Sequence, residues 1–337
     1  MNEELDLLLE KLSGACGLGY ATEAALLVER EARKYTKEVT VDKSASVVAT
    51  SRGRGKKRVM LAAHIDEIGF IVSGIEEGYL RIAPIGGIDP RVMPGQEVTV
   101  YGRRKLRGYI GITAPHYTTP ENRERVVGIK DLYVDTGLPA GRIKKLVQIG
   151  DGVVYAGRYA KLAGSLRSGK ALDNRAGVVC GLIVLKMLAR VEHDCDLYFV
   201  ATTQEEELGL GARVNAYRLE LDLGLVVDAT HGEHPELKEH EVFPLNRGPV
   251  IGKSSTLSPK IFEGLVNAAK RLEMSYQVEC MPRGTSTDAD YIAFAKEGIP
   301  TGLVSIPVRY MHTPVEVVSL SDIERAARLI ADFLVHL

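Results

Sequence analysis

Asp196-Leu197-Tyr198-Phe199-Val200-Ala201-Thr202-Thr203-Gln204-Glu205-Glu206-Glu207-Leu208-Gly209 runs from an apolar segment straight into three consecutive carboxylates. A continuous apolar run of this length reads as a strand of a parallel sheet covered on both faces. In open α/β sheets ligands collect outside the carboxyl ends of the strands, so the glutamates stand where chemistry is expected. Neighbouring side chains on extended chain point to opposite sides, and Glu205 and Glu206 are therefore expected to do different jobs at one site. An isolated Glu-Glu-Glu reads more simply as a solvated acidic turn; the rest of the chain argues against that.

Working outward, Arg58 to Ala63 leads into His64-Ile65-Asp66-Glu67, and on an extended end His64 and Asp66 share a face. Asp173 precedes the apolar helix Val178 to Leu188, the strand Leu223 to Val227 ends in Asp228, and Thr301 to Val308 leads to Arg309-Tyr310-Met311-His312. Each has an ordinary reading alone, such as helix capping for Asp173. Together, His64, Asp173, the glutamates, Asp228 and His312 share one predicted edge of the sheet. Two imidazoles with several carboxylates suit a zinc or cobalt pair, whereas calcium or magnesium sites use oxygen alone. Two such metals lower the pKa of a water and polarise a carbonyl, and a free carboxylate beside them moves the proton. This is a hydrolase design.

The 337 residues are 45% hydrophobic and 26% charged, and 43 Lys plus Arg against 44 Asp plus Glu leave a formal net charge of -1. That balance makes no electrostatic case for nucleic acid or an acidic membrane and favours small substrates. Cys16, Cys180, Cys195 and Cys280 lack Cys-x-x-Cys spacing and read as reduced packing residues. With an acidic start and no apolar run approaching about 18 residues, the expected location is the cytoplasm. Helices are expected around Leu5 to Leu12, Thr22 to Tyr35, Gly211 to Arg218, Pro259 to Leu272 and Tyr291 to Lys296, and from Ser321. Between Phe70 and Ala163 short β-type runs broken by glycine predict an inserted barrel or sandwich, with Asp131 to Leu146 a helix-containing excursion. His116, His231, His234 and His240 read as loop histidines outside the site.

The chain resembles the TET-type cytosolic metalloaminopeptidases, a family whose members carry names such as glutamyl aminopeptidase, deblocking aminopeptidase and endoglucanase. Essentially the whole chain takes part, through Ala63-His64-Ile65-Asp66-Glu67-Ile68-Gly69-Phe70, Ala171-Leu172-Asp173-Asn174-Arg175, Gln204-Glu205-Glu206, Val227-Asp228-Ala229-Thr230 and Tyr310-Met311-His312-Thr313-Pro314-Val315-Glu316. The resemblance implies a mixed-sheet α/β dinuclear-zinc exopeptidase domain over residues 1–69 and 164–337, with residues 70–163 an inserted β dimerisation domain. It implies one metal on His64 and Asp228, a second on Glu206 and His312, Asp173 bridging both, Glu205 as general base and Asp66 orienting His64. It further implies a cis peptide after Asp173, short peptide substrates, and dimers assembling into tetrahedral dodecamers.

The family pattern has Glu-Glu, an apolar residue, then Gly-Leu, whereas Glu205-Glu206-Glu207 precedes Leu208-Gly209 here. Alignment from Gln204 makes Glu205 the base and Glu206 the ligand; alignment from Leu208-Gly209 moves both roles one residue on, to Glu206 and Glu207. The first needs no gap and is preferred. A metal-dependent deacylase or carboxypeptidase would share the ligand set, an endoglucanase would leave both histidines without a role, and a non-catalytic scaffold would not need Glu205.

Overall fold

A computed structural model describes residues 2–19, 22–119, 125–235, 237–238 and 241–337; His240 and part of the inserted segment lie outside them. After helices α1 (Asn2–Gly14) and α2 (Thr22–Ala32) come strands β1 (Val39–Val41), β2 (Val47–Ser51) and β3 (Arg58–His64). A second group follows: β4 (Gly69–Glu76), β5 (Tyr79–Ile85), β6 (Glu97–Tyr101), β7 (Lys105–Gly111), β8 (Tyr133–Asp135), α3 (Ala140–Leu146) and β9 (Gly152–Tyr155). The chain then returns through β10 (Ala160–Lys161), β11 (Leu166–Gly169), α4 (Leu172–Leu188), β12 (Asp196–Thr202), α5 (Leu210–Arg218) and β13 (Leu223–His231). It closes with β14 (Val250–Ser254), α6 (Pro259–Arg271), β15 (Gln277–Met281), α7 (Asp288–Ala293), β16 (Thr301–Arg309), β17 (Glu316–Ser319) and α8 (Leu320–Val335).

Among the described residues the main sheet has eleven strands in the order β1-β2-β12-β3-β13-β16-β17-β11-β10, with β14 and β15 attached through β16. Its centre, β12-β3-β13-β16, is parallel, and β2 and β17 flank it antiparallel. Strand parity explains why the central runs are continuously apolar. Val59, Leu61, Leu197 and Phe199 enter the core under α1, α4, α6 and α8, while Met60, Ala62, Tyr198 and Val200 enter the core under α5 and α7. Both faces are covered, so neither parity is free to be polar. Helix α4 is buried along nearly all its length and has a weakly amphipathic composition, as a helix enclosed on every side must.

Strands β4-β5-β8-β7-β6-β9 close a barrel with its own core of Phe70, Val72, Val98, Val100, Ile110 and Val153. In β7, inward Leu106 and Ile110 alternate with exposed Lys105, Arg107 and Tyr109, the two-residue period of a strand with one wet face. The Asp131 to Leu146 excursion supplies β8 as well as α3, so it helps to close the barrel. The Ala160–Lys161 strand pairs with β11 in the main sheet instead.

Several elements depart from expectation. Strand β13 continues past Asp228 to His231, and α7 begins at Asp288 because the Thr287 hydroxyl accepts a hydrogen bond from the Ala289 N–H and caps it. All four cysteines are free, but Cys280 is exposed and does not pack. Among the described residues no helix is long and apolar enough to cross a membrane.

Gly181 of α4 lets the Phe199 ring lie against the helix backbone, where an added Cβ would stand 2.1 Å from the ring. Phe199→Ala empties this contact and is expected to destabilise the chain by about 3–5 kcal/mol, read as a lower urea midpoint. An unchanged midpoint would contradict this packing account.

Candidate active site

Strands β3 and β12 run in register and end together, Thr202 opposite His64. The Ile65 N–H donates to the Thr202 carbonyl at 2.7 Å, after which the two chains diverge. Gln204 turns into the left-handed region (φ 59°), an unfavourable conformation for a residue with a side chain, and Glu205 to Glu207 follow. Asp66 holds this turn: its Oδ1 accepts from the Glu205 N–H and its Oδ2 from the Glu206 N–H, both at 3.1 Å. Ala171 (φ 54°), Tyr310 (φ 57°) and His312 (φ 62°), in the segments that bring the other site residues in, are left-handed as well.

The side chains converge at one site. The His64 Nε2 lies 3.2 Å from Asp173 Oδ1, 3.6 Å from Asp228 Oδ1 and 3.9 Å from Glu205 Oε2. The His312 Nε2 lies 3.5 Å from Asp173 Oδ2 and 3.4 Å from Glu206 Oε2. Asp173 thus turns one oxygen to each histidine. It stands at the start of α4, where Asp173 and Asn174 leave helical geometry and the peptide between them is cis. Asn174 fixes this entry by donating its Nδ2–H to the Val227 carbonyl at 2.8 Å and accepting from the Gly177 N–H at 3.0 Å.

The three glutamates separate. Glu205 and Glu206 enter the site, while Glu207 turns to the loop after β5 and accepts the Gly86 N–H. The next residue of that loop, Gly87, offers its carbonyl to the His312 Nδ1–H at 2.8 Å. Asp66 lies 3.6 Å from His64 Nδ1, beyond hydrogen-bond range, and that buried nitrogen has no hydrogen-bond partner. The direct hydrogen bonds of Asp66 go to the glutamate backbone.

Glu316 is not singled out by the sequence, whereas Asp288, in the polar loop entering a helix, reads there as either a cap or a pocket residue. Glu316, quoted above only as the end of a motif, is buried and accepts from the Asp173 N–H at 3.0 Å and the His312 N–H at 2.9 Å. Asp288 is also buried, takes the Thr202 hydroxyl on one oxygen and leaves the other without a partner. Glu316 lay four residues past His312, and a carboxylate inside the apolar strand Glu316 to Ser319 was the available signal. Of the loop histidines, His231 lines the same cavity as His64 and His312.

Several carboxyl groups and two imidazoles are packed together here. Burial, with Asp228, Asp288 and Asp173 nearby, pushes the Glu205 carboxyl up to about 10 despite His64. Burial and Asp173 raise Glu206 to about 8, and burial raises Asp228. Burial favours neutral His312, yet the hydrogen bond to Asp173 and the charge of Glu206 lift it to about 9. Burial also opposes the Asp173 anion, but His312 and His64 together hold it well below the ordinary carboxylate range. Protons are thus retained where cations would serve. In each of two sets, His64-Asp173-Asp228 and Asp173-Glu206-His312, one donor atom per residue lies within 4.8 Å of the others. The Gly87 carbonyl on His312 Nδ1 leaves Nε2 as the donor, the usual arrangement of a ligating imidazole. The residues fit a pair of divalent cations sharing Asp173. A cavity of about 610 Å³ opens over them.

A family model described as M42 glutamyl aminopeptidase matches residues 45–329. The lysyl aminopeptidase of Pyrococcus furiosus is 32% identical over 87% of this chain and 85% of its own length. The TET aminopeptidase of a Thaumarchaeota archaeon from marine sediment superposes with a TM-score of 0.95 at 30% identity, covering 99% of this chain and 97% of that one. The TET1 peptidase of Pyrococcus horikoshii, which can assemble into a tetrahedron or a large octahedral shell, gives 0.88 at 28% identity over 99% and 100% of the two chains.

Glu206 near 8 and His312 near 9 keep their protons at neutral pH in the cation-free protein and must release them before they can ligate. Zinc or cobalt affinity measured by calorimetry is therefore expected to rise between about pH 7 and about pH 9, by up to roughly tenfold per unit for each proton displaced. A pH-independent affinity would count against these two residues as ligands.

Proposed function

The chain belongs to the M42 family of aminopeptidases, and from that premise we propose a dinuclear metalloaminopeptidase that removes residues singly from the free N-termini of short peptides. The observation that carries this reading is the pair of donor sets sharing Asp173, with Glu205 beside them and in neither. His64 and Asp228 would hold one divalent cation, Glu206 and His312 the other, and Asp173 would serve both. Zinc and cobalt match this mixture of nitrogen and oxygen donors. Such cations, when bound, lower the pKa of water and polarise a scissile carbonyl.

The chain's own residues do the rest. Glu205 is the general base: it takes a proton from the water that adds to the carbonyl and returns it to the departing amine as the C–N bond breaks. Its backbone N–H is held by Asp66, so the carboxylate is aimed from a fixed point. Glu207 is turned toward Gly86, which favours Glu205 and Glu206 over Glu206 and Glu207 as base and ligand. Asp66 acts on His64 by charge across 3.6 Å and on the glutamates by hydrogen bond.

Residues 1–69 and 164–337 are read as the catalytic domain and residues 70–163 as an insertion through which two copies dimerise. By likeness to the tetrahedral shell of the Pyrococcus horikoshii peptidase, such dimers assemble into dodecamers in the cytosol. Light scattering is expected to give the dodecamer mass, and a stable monomer would remove this part of the reading.

Metal-stripped protein reloaded with zinc or cobalt is expected to cleave a short free peptide from its N-terminus and leave its N-acetylated twin intact. Glu205→Gln should retain both metals by elemental analysis but lose about 10²–10⁴ in kcat, whereas Glu206→Gln should lose metal. Equal cleavage of both peptides would move the enzyme to a deacylase or carboxypeptidase class, and full activity in Glu205→Gln would move the base to Glu206.

A further inference from the structure

The cavity over the candidate metal ligands has a one-sided lining. Asp173, Glu205, Glu206, Asp228, Glu279 and Asp290 all face it, and among the described residues no lysine or arginine does. The first four are occupied by the proposed chemistry. Asp290 is committed to its own loop, where it accepts from the Thr285 N–H at 2.7 Å, the Ser286 N–H at 2.9 Å and the Thr256 hydroxyl at 3.0 Å.

Glu279 remains. It projects from β15, and its Oε1 accepts the hydroxyl of Thr230, a buried residue of β13, at 3.0 Å. Among the described residues it has no cationic partner and no second protein hydrogen bond. Thr230 lies two residues beyond Asp228 on the same strand, on the same face and about 6–7 Å farther along. The Glu279 carboxylate is therefore set off from the reacting centre by roughly the reach of an extended side chain with a four-carbon stem. Tyr291 and Met311 line the same cavity and offer apolar surface to such a stem.

We propose that Glu279 receives the ammonium or guanidinium head of a lysine or arginine at the substrate's N-terminus, making this chain a basic-residue aminopeptidase. The proposal rests on the aminopeptidase reading above and adds its specificity. A cationic head supplies the counter-charge that Glu279 lacks, through a charge-assisted hydrogen bond. An acidic N-terminal residue would instead bring a like charge to Glu279, which has no lysine or arginine beside it among the described residues lining the cavity.

The test compares kcat/KM for the p-nitroanilides of lysine, arginine, leucine and glutamate on metal-loaded wild-type protein and on Glu279→Gln. Wild type is expected to favour lysine and arginine over both others, and Glu279→Gln to lower the lysine-to-leucine ratio by about 10- to 100-fold. Glu279→Lys should shift preference toward glutamate. Wild type that prefers leucine or glutamate would overturn the proposal, as would a Glu279→Gln loss equal across substrates, the mark of a general amine anchor. Should the variants fail to fold, the wild-type ratios still decide it. No cleavage of any of these free-amine substrates would sink the aminopeptidase reading itself.

Discussion

Two buried carboxylates hold this site by its backbone. Asp66 accepts the N–H groups of Glu205 and Glu206, and Glu316 accepts those of Asp173 and His312. Each pair of hydrogen bonds joins segments far apart in the chain. Asp66 ties the end of β3 to the turn after β12, and Glu316 ties the loop after β16 to the entry of α4. The residues that face the cavity owe their positions to two residues that do not, and this frees Asp173, Glu206 and His312 from making structural bonds with the atoms they aim at one another.

That arrangement is electrostatically unfavourable on its own. Carboxyl groups stand a few ångströms apart in a buried setting, and burial with their neighbours raises the pKa of Glu205, Glu206 and Asp228 despite the two imidazoles. Left-handed backbone at Gln204 and His312 adds local strain. Burying like charges without compensation is costly, so a constellation of this kind marks a place where cations belong. The barrel participates too, since Gly86 and Gly87 between β5 and β6 contact Glu207 and His312. A shift of the barrel against the main sheet would therefore be felt directly by the imidazole.

The acidic run at the end of β12 shows how three like residues divide their tasks. Glu205 lies by His64, Glu206 by His312, and Glu207 leaves the site for Gly86. What separates them is the turn at Gln204 and the two N–H groups held by Asp66, since the side chains are chemically identical. The same holds across the cavity, where Asp290 is absorbed by backbone N–H groups and Glu279 is not.

Strand polarity and residue type were readable in the sequence itself. Apolar runs that end in His64, in Thr202 with the glutamates, in Asp228 and near His312 require a covered parallel sheet whose carboxyl ends share one edge, because parallel strands in register stop at the same level. Short glycine-broken runs likewise marked a second β unit. The sequence did not determine which atoms meet: that Glu316 bridges two backbones, that Asp66 bonds the glutamate turn while standing 3.6 Å from His64, or that Glu279 accepts the Thr230 hydroxyl and has no cationic partner among the described residues. Those outcomes depend on contacts between residues distant in the chain, and a local pattern carries no information about the direction of a side chain until the sheet, α4 and the β5–β6 loop have packed around it.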